Sequence, residues 1–316
     1  MEFYKTKTSR RNFKAYLWGN PQKPDGTSHY YGNLNDPTIK YISVTTLIEK
    51  YGKEFDKDFV SAYKALERIL DPADWKKEKG SIWKNHKIPK DFLEVYDISQ
   101  DELNKVQQEI LDEWENTNRI DCERWTKIHA QLENSFYNAG SNITLKKFGI
   151  GGKFTCKKDY CELDLDYGVY PEYLIYYDNA KIDLHLAGQI DLIVKNGNDI
   201  YIIDHKTNKK IDTKGFYNSG TRTSDKMKYP LGHLDECNFN HYQLQLSTYA
   251  WMLQKLNPDF VIKDLILNHY DHDGKNTLYH CTYLKDDVEK MLKHYAKQQK
   301  LEKQKAKYAR IEYWWT

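Results

Sequence analysis

The stretch from Gly188 to Thr207, GQIDLIVKNGNDIYIIDHKT, constrains this chain more than any other. Val, Ile and Tyr are dense on both sides of Asn196-Gly197-Asn198, the pattern of two strands joined by a tight turn. Two registers fit. With Asn196-Gly197 as the turn residues, Asp191 pairs with Ile202 and Gln189 with Asp204. With Gly197-Asn198, Asp191 pairs directly with Asp204. Side chains alternate along a strand, so both registers send Asp191, Asp204 and Lys206 to one face and His205 to the other. Ile200 and Ile202 cover an apolar surface, yet the strand then ends in Asp204, His205 and Lys206. Charges are rarely buried unless they are paired or bound to metal.

Two carboxylates on one face suit a hard divalent cation, Mg²⁺ or Mn²⁺, held through oxygen. Such an ion activates water and stabilises the charge that develops on a phosphate. Lys206 would then place the attacking water or neutralise the phosphate. An ordinary Asp–Lys pair at an exposed strand end is the other reading, because D-x-K is a short and common string.

Asp191, twelve intervening residues and Asp204-His205-Lys206 resemble the core of the PD-(D/E)XK nuclease superfamily. The longer strings Gly188-x-x-Asp191 and Ile203-Asp204-His205-Lys206-Thr207 are similar to its RecB-type branch, which includes phage exonucleases and the mitochondrial genome maintenance exonuclease. The resemblance implies a restriction-endonuclease-like α/β fold, a mixed β-sheet core flanked by helices, with a helical N-terminal lobe. It places that lobe with its leading strands in residues 1–120, and the nuclease core with a basic C-terminal helix in residues 121–316. Some relatives hold an iron–sulfur cluster on four cysteines, three of them close together near the C-terminus. Here the five cysteines are scattered and only Cys281 lies near that end, so no cluster is expected.

Composition bounds the partners. The 316 residues hold 48 Lys and Arg against 46 Asp and Glu, a net charge of +2. That balance argues against a tail coating nucleic acid nonspecifically and leaves room for a local basic groove. No apolar run reaches the length of a membrane span, and the N-terminus lacks an apolar signal core. A cytoplasmic protein is expected, in the host cytoplasm if the chain is phage-encoded.

Residues 1–40 read as short strands and loops. Tyr41 to Ile48 contains Ser43-Val44-Thr45, similar to a segment that opens many phage members of the branch. Ser43 or Thr45 can cap the helix that follows, or contact a phosphate. Phe59 to Leu70 has helical spacing and stops at Asp71-Pro72, and residues 73–98 show no clean period. Ser99 with Glu102 forms a capping box before one helix, and a second helix begins near Asp121 with Trp125, Ile128, Leu132 and Phe136 as its buried stripe. His129 lies beside that stripe. The resemblance implies that a helix His in this place reaches the metal; a hydrogen-bonded structural His is the alternative.

Glu172, on the strand before Gly188-x-x-Asp191, is the further acidic candidate, with an exposed strand carboxylate as the plainer reading. Residues 208–240 form a long polar segment in which Lys209, Lys210, Arg222 and Lys228 alternate with Phe216, Tyr217 and Tyr229. That mixture suits a surface that tracks a backbone and stacks bases; a disordered insertion is the other reading. Tyr242-x-x-Gln245-Leu246-x-x-Tyr249 places three residues on one helix face and is similar to the Y-x-x-Q-L-x-x-Y helix of RecB-type nucleases. His269 to Asp273 resembles a metal cluster but reads better as a hairpin tip at Asp273-Gly274. Asp286 with Glu289 opens a last, lysine-rich helix.

Taken together, the resemblance implies a DNA exonuclease acting on single strands or DNA ends. Asp191 and Asp204 hold the metal with His129, Glu172 and the carbonyl of His205. Lys206 orients water, and Gln245, Tyr242 and Tyr249 line the site. Two other functions are open: a structure-selective or nicking endonuclease, and a silent nuclease fold that binds DNA or acts as a scaffold. An oligomer is compatible with either.

Overall fold

The turn takes the second register. Asn196 pairs with Asp199 across Gly197-Asn198, with Gly197 at φ 61°, and the ladder runs back to Leu192 opposite Ile203. Glycine reaches that left-handed conformation without a Cβ clash, which is why the chain reverses there.

The computed structural model describes residues 15–19, 29–33, 38–157, 165–218 and 223–312. In chain order the strands are β1 (Ala15–Gly19), β2 (His29–Asn33), β3 (Lys40–Ser43), β4 (Ile143–Leu145), β5 (Ile150–Phe154), β6 (Gly168–Asn179), β7 (Leu184–Asn196), β8 (Asp199–Lys206), β9 (Tyr217–Asn218), β10 (Thr223–Ser224), β11 (Val261–Tyr270) and β12 (Asn276–Cys281). The helices are α1 (Val44–Glu49), α2 (Lys57–Ile69), α3 (Pro72–Asn85), α4 (Phe92–Val95), α5 (Gln100–Ala139), α6 (Asn238–Leu256) and α7 (Lys285–Glu312). They fall into two units. One holds residues up to Lys53, Ile128–Tyr217 and Ser224 onward; the other holds Glu54–Lys127 with residues 218–223.

The first unit is built on a mixed sheet in the order β1-β2-β3-β7-β8-β11-β12, with β6 also paired to β7. β3 runs parallel to β7 and β11 parallel to β8; the remaining pairs in this sheet are antiparallel. β6 follows β7 along nearly its whole length, so β3 and β8 share the other edge. β3 ends its pairing at Ser43 with Ala187, and β8 begins at Leu192. Gly188 to Asp191 thus lie at a fork where one partner strand has left and the next has not arrived.

Two cores flank the sheet. Val44, Leu47 and Ile48 of α1, Leu246, Ala250 and Leu253 of α6 and Val288 and Met291 of α7 pack with Ile193 and Ile202 on one side. The β4–β5 ribbon and Phe136 of α5 cover Leu192, Val194, Ile203 and Ile266 on the other. Uniform alternation fails at the fork. Leu184, Leu186 and Ile190 enter the larger core, and so does Ile193, a slip of one residue at Asp191. β6 slips at the facing position, where Glu172 has φ 51°.

The second unit is helical. Ala65, Leu66, Trp75, Ile82, Phe92, Leu103 and Ile110 form its core. Residues 73–98, which show no clean apolar period, contain most of α3 and all of α4. Asp71 caps α3 by accepting from the Ala73 N–H at 2.9 Å, with Pro72 in the first turn, so cap chemistry succeeds where apolar periodicity is absent. One expectation is corrected: the two helices expected from Ser99 and from Asp121 are one 40-residue helix, α5, because no Gly or Pro interrupts residues 100–139. Its buried residues near the sheet centre on His129, and Trp125, expected on the stripe, is 46% exposed. Ser99 does accept the Glu102 N–H, and Ser43 caps α1 by accepting from Thr46. Glu289 does not close a capping box; it accepts from the Trp251 indole at 3.3 Å.

Gly188 has a steric reason. A Cβ built there would lie 2.5 Å from Tyr249 Cε1. Gly188→Ala is expected to cost about 1–3 kcal/mol as the Tyr249 ring is driven from its place. Thermal unfolding reads this; an unchanged Tm would contradict the contact.

Candidate active site

Four elements deliver the acidic and basic groups to the fork. β8 carries Asp204 and Lys206 on the face of Ile202. β7 and β6 supply Asp191 and Glu172, and the end of α5 nearest the sheet supplies His129. One ligand atom each from His129, Glu172 and Asp191 lies within 4.8 Å of the others. His129 Nδ1 is 3.8 Å from Glu172 Oε1 and 3.7 Å from Asp191 Oδ2. Its Nε2 is 3.2 Å from the His205 carbonyl. An imidazole that gives one N–H to a backbone carbonyl presents the other nitrogen as a ligand, the arrangement common around protein metals.

Asp191 Oδ2 accepts the His205 N–H at 2.7 Å. Asp204 turns elsewhere. Its Oδ2 is 2.8 Å from Lys206 Nζ, and its Oδ1 accepts from Gln245 Nε2 at 3.2 Å. Gln245 Oε1 accepts from Lys206 at 3.3 Å, closing a ring of three side chains. Tyr242 lays its ring 4.6 Å from Lys206 Nζ, and Tyr249 OH is 3.5 Å from Gln245 Nε2. This is the expected Tyr–Gln–Tyr face of α6. The His205 ring points away, taking an amide hydrogen from Asn268 at Nδ1, 2.8 Å away.

The electrostatics are those of a crowded, dry site. Burial alone would depress the His129 pKa, but Asp191, Glu172 and Asp204 outweigh it and raise it to about 9. Burial pushes Asp191 well above the carboxylate range, aided by Asp204 and Glu172 and opposed by His129 and Lys206. Burial works against the Lys206 charge too, and Asp204 and Asp191 overcome it, so the ammonium persists. His205 is lowered to about 3, first by burial and then by His129, Lys147 and Lys206, which leaves it neutral.

This donor set fits a hard divalent cation. Carboxylate oxygens and one imidazole nitrogen converge, and Asp204 Oδ2 is buried without a well-aligned hydrogen bond. Glu172 supports the same reading: a non-glycine residue in the left-handed region is strained, and Gln189 Nε2 holds its carboxylate at 2.8 Å.

The expected nucleic-acid contacts are spread along the 208–240 segment. Lys209 and Lys228 are exposed, Lys210 pairs with Asp212 at 2.8 Å, and Arg222 lies outside the described residues. Phe216, Tyr217 and Tyr229 are exposed as well. His269 to Asp273 splits as expected: His269 is buried on β11 against the Asn208 carbonyl, and Asp271 to Lys275 form the hairpin tip. Sequence reasoning passed over Gln189 and Asn268. Each is a polar residue inside an apolar strand, which was the available signal.

The chain belongs to the PD-(D/E)XK nuclease superfamily, whose family profile matches residues 53–313. No curated protein matches it in sequence. Among solved structures it is similar to SSO0001, at 11% identity over 78% of this chain and 80% of that one, with a TM-score of 0.28. A protein from Eubacterium rectale, named as a candidate exonuclease, is similar at 10% identity over 81% and 79%, with a TM-score of 0.31. Nucleases of this superfamily generally use divalent metals. Among the described residues no helix is long and apolar enough to cross a membrane.

The shifted groups set a pH dependence. A pKa raised in the folded state gives stability that is complete below the unfolded value and is lost as pH rises through the folded one. For His129 that window runs from about 6.5 to about 9 in the metal-free protein. A cation needs His129 and Asp191 deprotonated. Affinity for Mn²⁺ is therefore expected to climb from pH 6 toward pH 9, with protons released on binding. Titration calorimetry in buffers of different ionisation enthalpy measures that release, and a pH-independent affinity would contradict it.

Proposed function

We propose that this chain is a Mg²⁺- or Mn²⁺-dependent deoxyribonuclease of the RecB-type branch, acting as an exonuclease at DNA ends. The observation that carries the reading is the convergence of His129, Glu172 and Asp191 within 4.8 Å, beside the ring of Asp204, Lys206 and Gln245. His129, Glu172, Asp191 and Asp204 would hold the ion, with the His205 carbonyl beside them. A divalent ion held there supplies positive charge to the phosphodiester and acidifies water.

The chain's own groups do the positioning. Lys206 stays charged in a buried site, so its ammonium can neutralise a phosphate oxygen or hold the attacking water by a charge-assisted hydrogen bond. Gln245 fixes both Asp204 and Lys206, and the Tyr242 ring confines the ammonium from a further side. Tyr249, packed on Gly188, braces Gln245 from behind. Cleavage by water then leaves a 5′-phosphate. Lys209, Lys210 and Lys228 track the strand by charge, and Phe216, Tyr217 and Tyr229 stack on its bases; Arg222 belongs to the same segment.

Incubating linear and covalently closed circular DNA with purified protein and Mg²⁺, Mn²⁺ or EDTA tests the reading. Linear DNA should be degraded only with metal, and circles should survive. Lys206→Met and Asp204→Asn should each lower the rate by about 10²–10⁴-fold with far-ultraviolet circular dichroism unchanged. Circles cut as fast as linear DNA would make the chain an endonuclease. Unchanged cleavage by Lys206→Met would move the active site elsewhere.

A further inference from the structure

A second constellation lies on the other side of the fork, at the end of β7 where β3 pairs. Here the first unit has an open cavity of about 530 Å³, within the range of small-ligand sites. Lys40, Lys50 and Lys303 line it against one carboxylate, Asp183, which is already paired with Lys303. Lys40 and Lys50 form no ion pair among the described residues, so their charges are available to a ligand.

The polar lining is organised as well as charged. Asp178 clamps two of its members: Tyr41 OH donates to Oδ2 at 2.8 Å, and His185 Nδ1 sits 2.8 Å from Oδ1. The imidazole is thereby fixed, and Nε2 is left as the atom that can meet a ligand, 3.7 Å from Asp183. Ser43 and Thr46 add hydroxyls, joined to each other at 2.7 Å. Cations, an oriented imidazole, hydroxyls and tyrosine rings are the groups that hold a phosphate and the sugar or base beside it.

The cavity lies along β7 from the metal-ligand cluster. Ser43 pairs with Ala187, four residues before Asp191, or about 13 Å along β7. Tyr31 lines the cavity and is close enough to Glu172 for that carboxylate to oppose its ionisation.

We propose that this cavity binds a terminal nucleoside-phosphate unit of the DNA strand whose bond is cut at the metal-ligand cluster, and so selects strand ends that carry a phosphate. The proposal rests on the nuclease reading. The same chemistry would accept a free deoxynucleoside monophosphate, and the test separates the two sources.

Fluorescence anisotropy in EDTA measures binding of short single strands bearing a 5′-phosphate, a 3′-phosphate or only hydroxyl ends, with the label on the opposite end. One phosphorylated end should bind about tenfold tighter than its hydroxyl counterpart, and Lys40→Ala with Lys50→Ala should remove that difference. Both lysines are exposed, so folding is expected to survive, and the melting temperature checks it. Thymidine 5′-monophosphate is the competitor: displacement only at concentrations far above the strand's Kd assigns the site to the strand, and displacement at equal concentration assigns it to the free nucleotide and overturns the proposal. Equal binding of all three strands, or a difference that persists in the double variant, overturns it too. Because no cleavage is measured, an inactive protein with end preference would sink the nuclease reading alone, and an active one without it would sink the cavity alone.

Discussion

Where the β7–β8 ladder stops at Leu192 and Ile203, a carboxylate takes over from the backbone. The His205 N–H goes to Asp191 Oδ2 at 2.7 Å, and this one charge-assisted bond fixes Asp191 inside the fork. The rest of the site depends on it. His129 approaches because Asp191 and Glu172 are there to share its proton, and Glu172 accepts a strained backbone to face Asp191. A buried N–H left without a partner would cost about 1–3 kcal/mol, so the fork is stable only while the acid fills it.

Charge balance explains why so polar a cluster survives inside an α/β core. Three carboxylates, Glu172, Asp191 and Asp204, face two basic groups, His129 and Lys206. Burial penalises every one of these ions, and their mutual attraction offsets that cost only while both signs are present. The pKa values move in the directions that keep the cluster close to neutral: the histidine is raised, Asp191 gains affinity for a proton and the lysine stays charged. A divalent cation would replace those protons. The site is therefore a charge balance completed by protons or by a cation, with Ile193, Ile202, Leu246 and Ala250 in the core beside it.

The helix α6 connects that packing to the chemistry. It is buried without a break from Gln243 to Leu253, which leaves little room for Gln245 or Tyr249 to choose another rotamer. Gly188 lets the Tyr249 ring reach the strand, and the ring in turn supports Gln245. The conformation of one amide thus passes from a missing Cβ on β7 to the acid and ammonium on β8.

The short-range rules were legible in the residues themselves. Asn196-Gly197-Asn198 encodes the reversal, and alternation joins Asp204 with Lys206 and sends His205 away. Helical spacing gathers Tyr242, Gln245 and Tyr249. Each depends on only a few neighbouring residues, which is why the hairpin and the α6 face could be read from order alone, while the mixed α/β class came from the family resemblance those residues carry. The choice between two registers, the slip at Asp191 and Glu172, and the fork itself could not. The fork needs β3 on the same edge of β7 as β8, and β3 pairs with β7 across some 140 residues of chain. The same holds for His129 meeting Glu172 and for Lys40 lining one cavity with His185. Sequence supplied the chemical groups and their local direction; only packing of distant strands and helices set the distances at which those groups act.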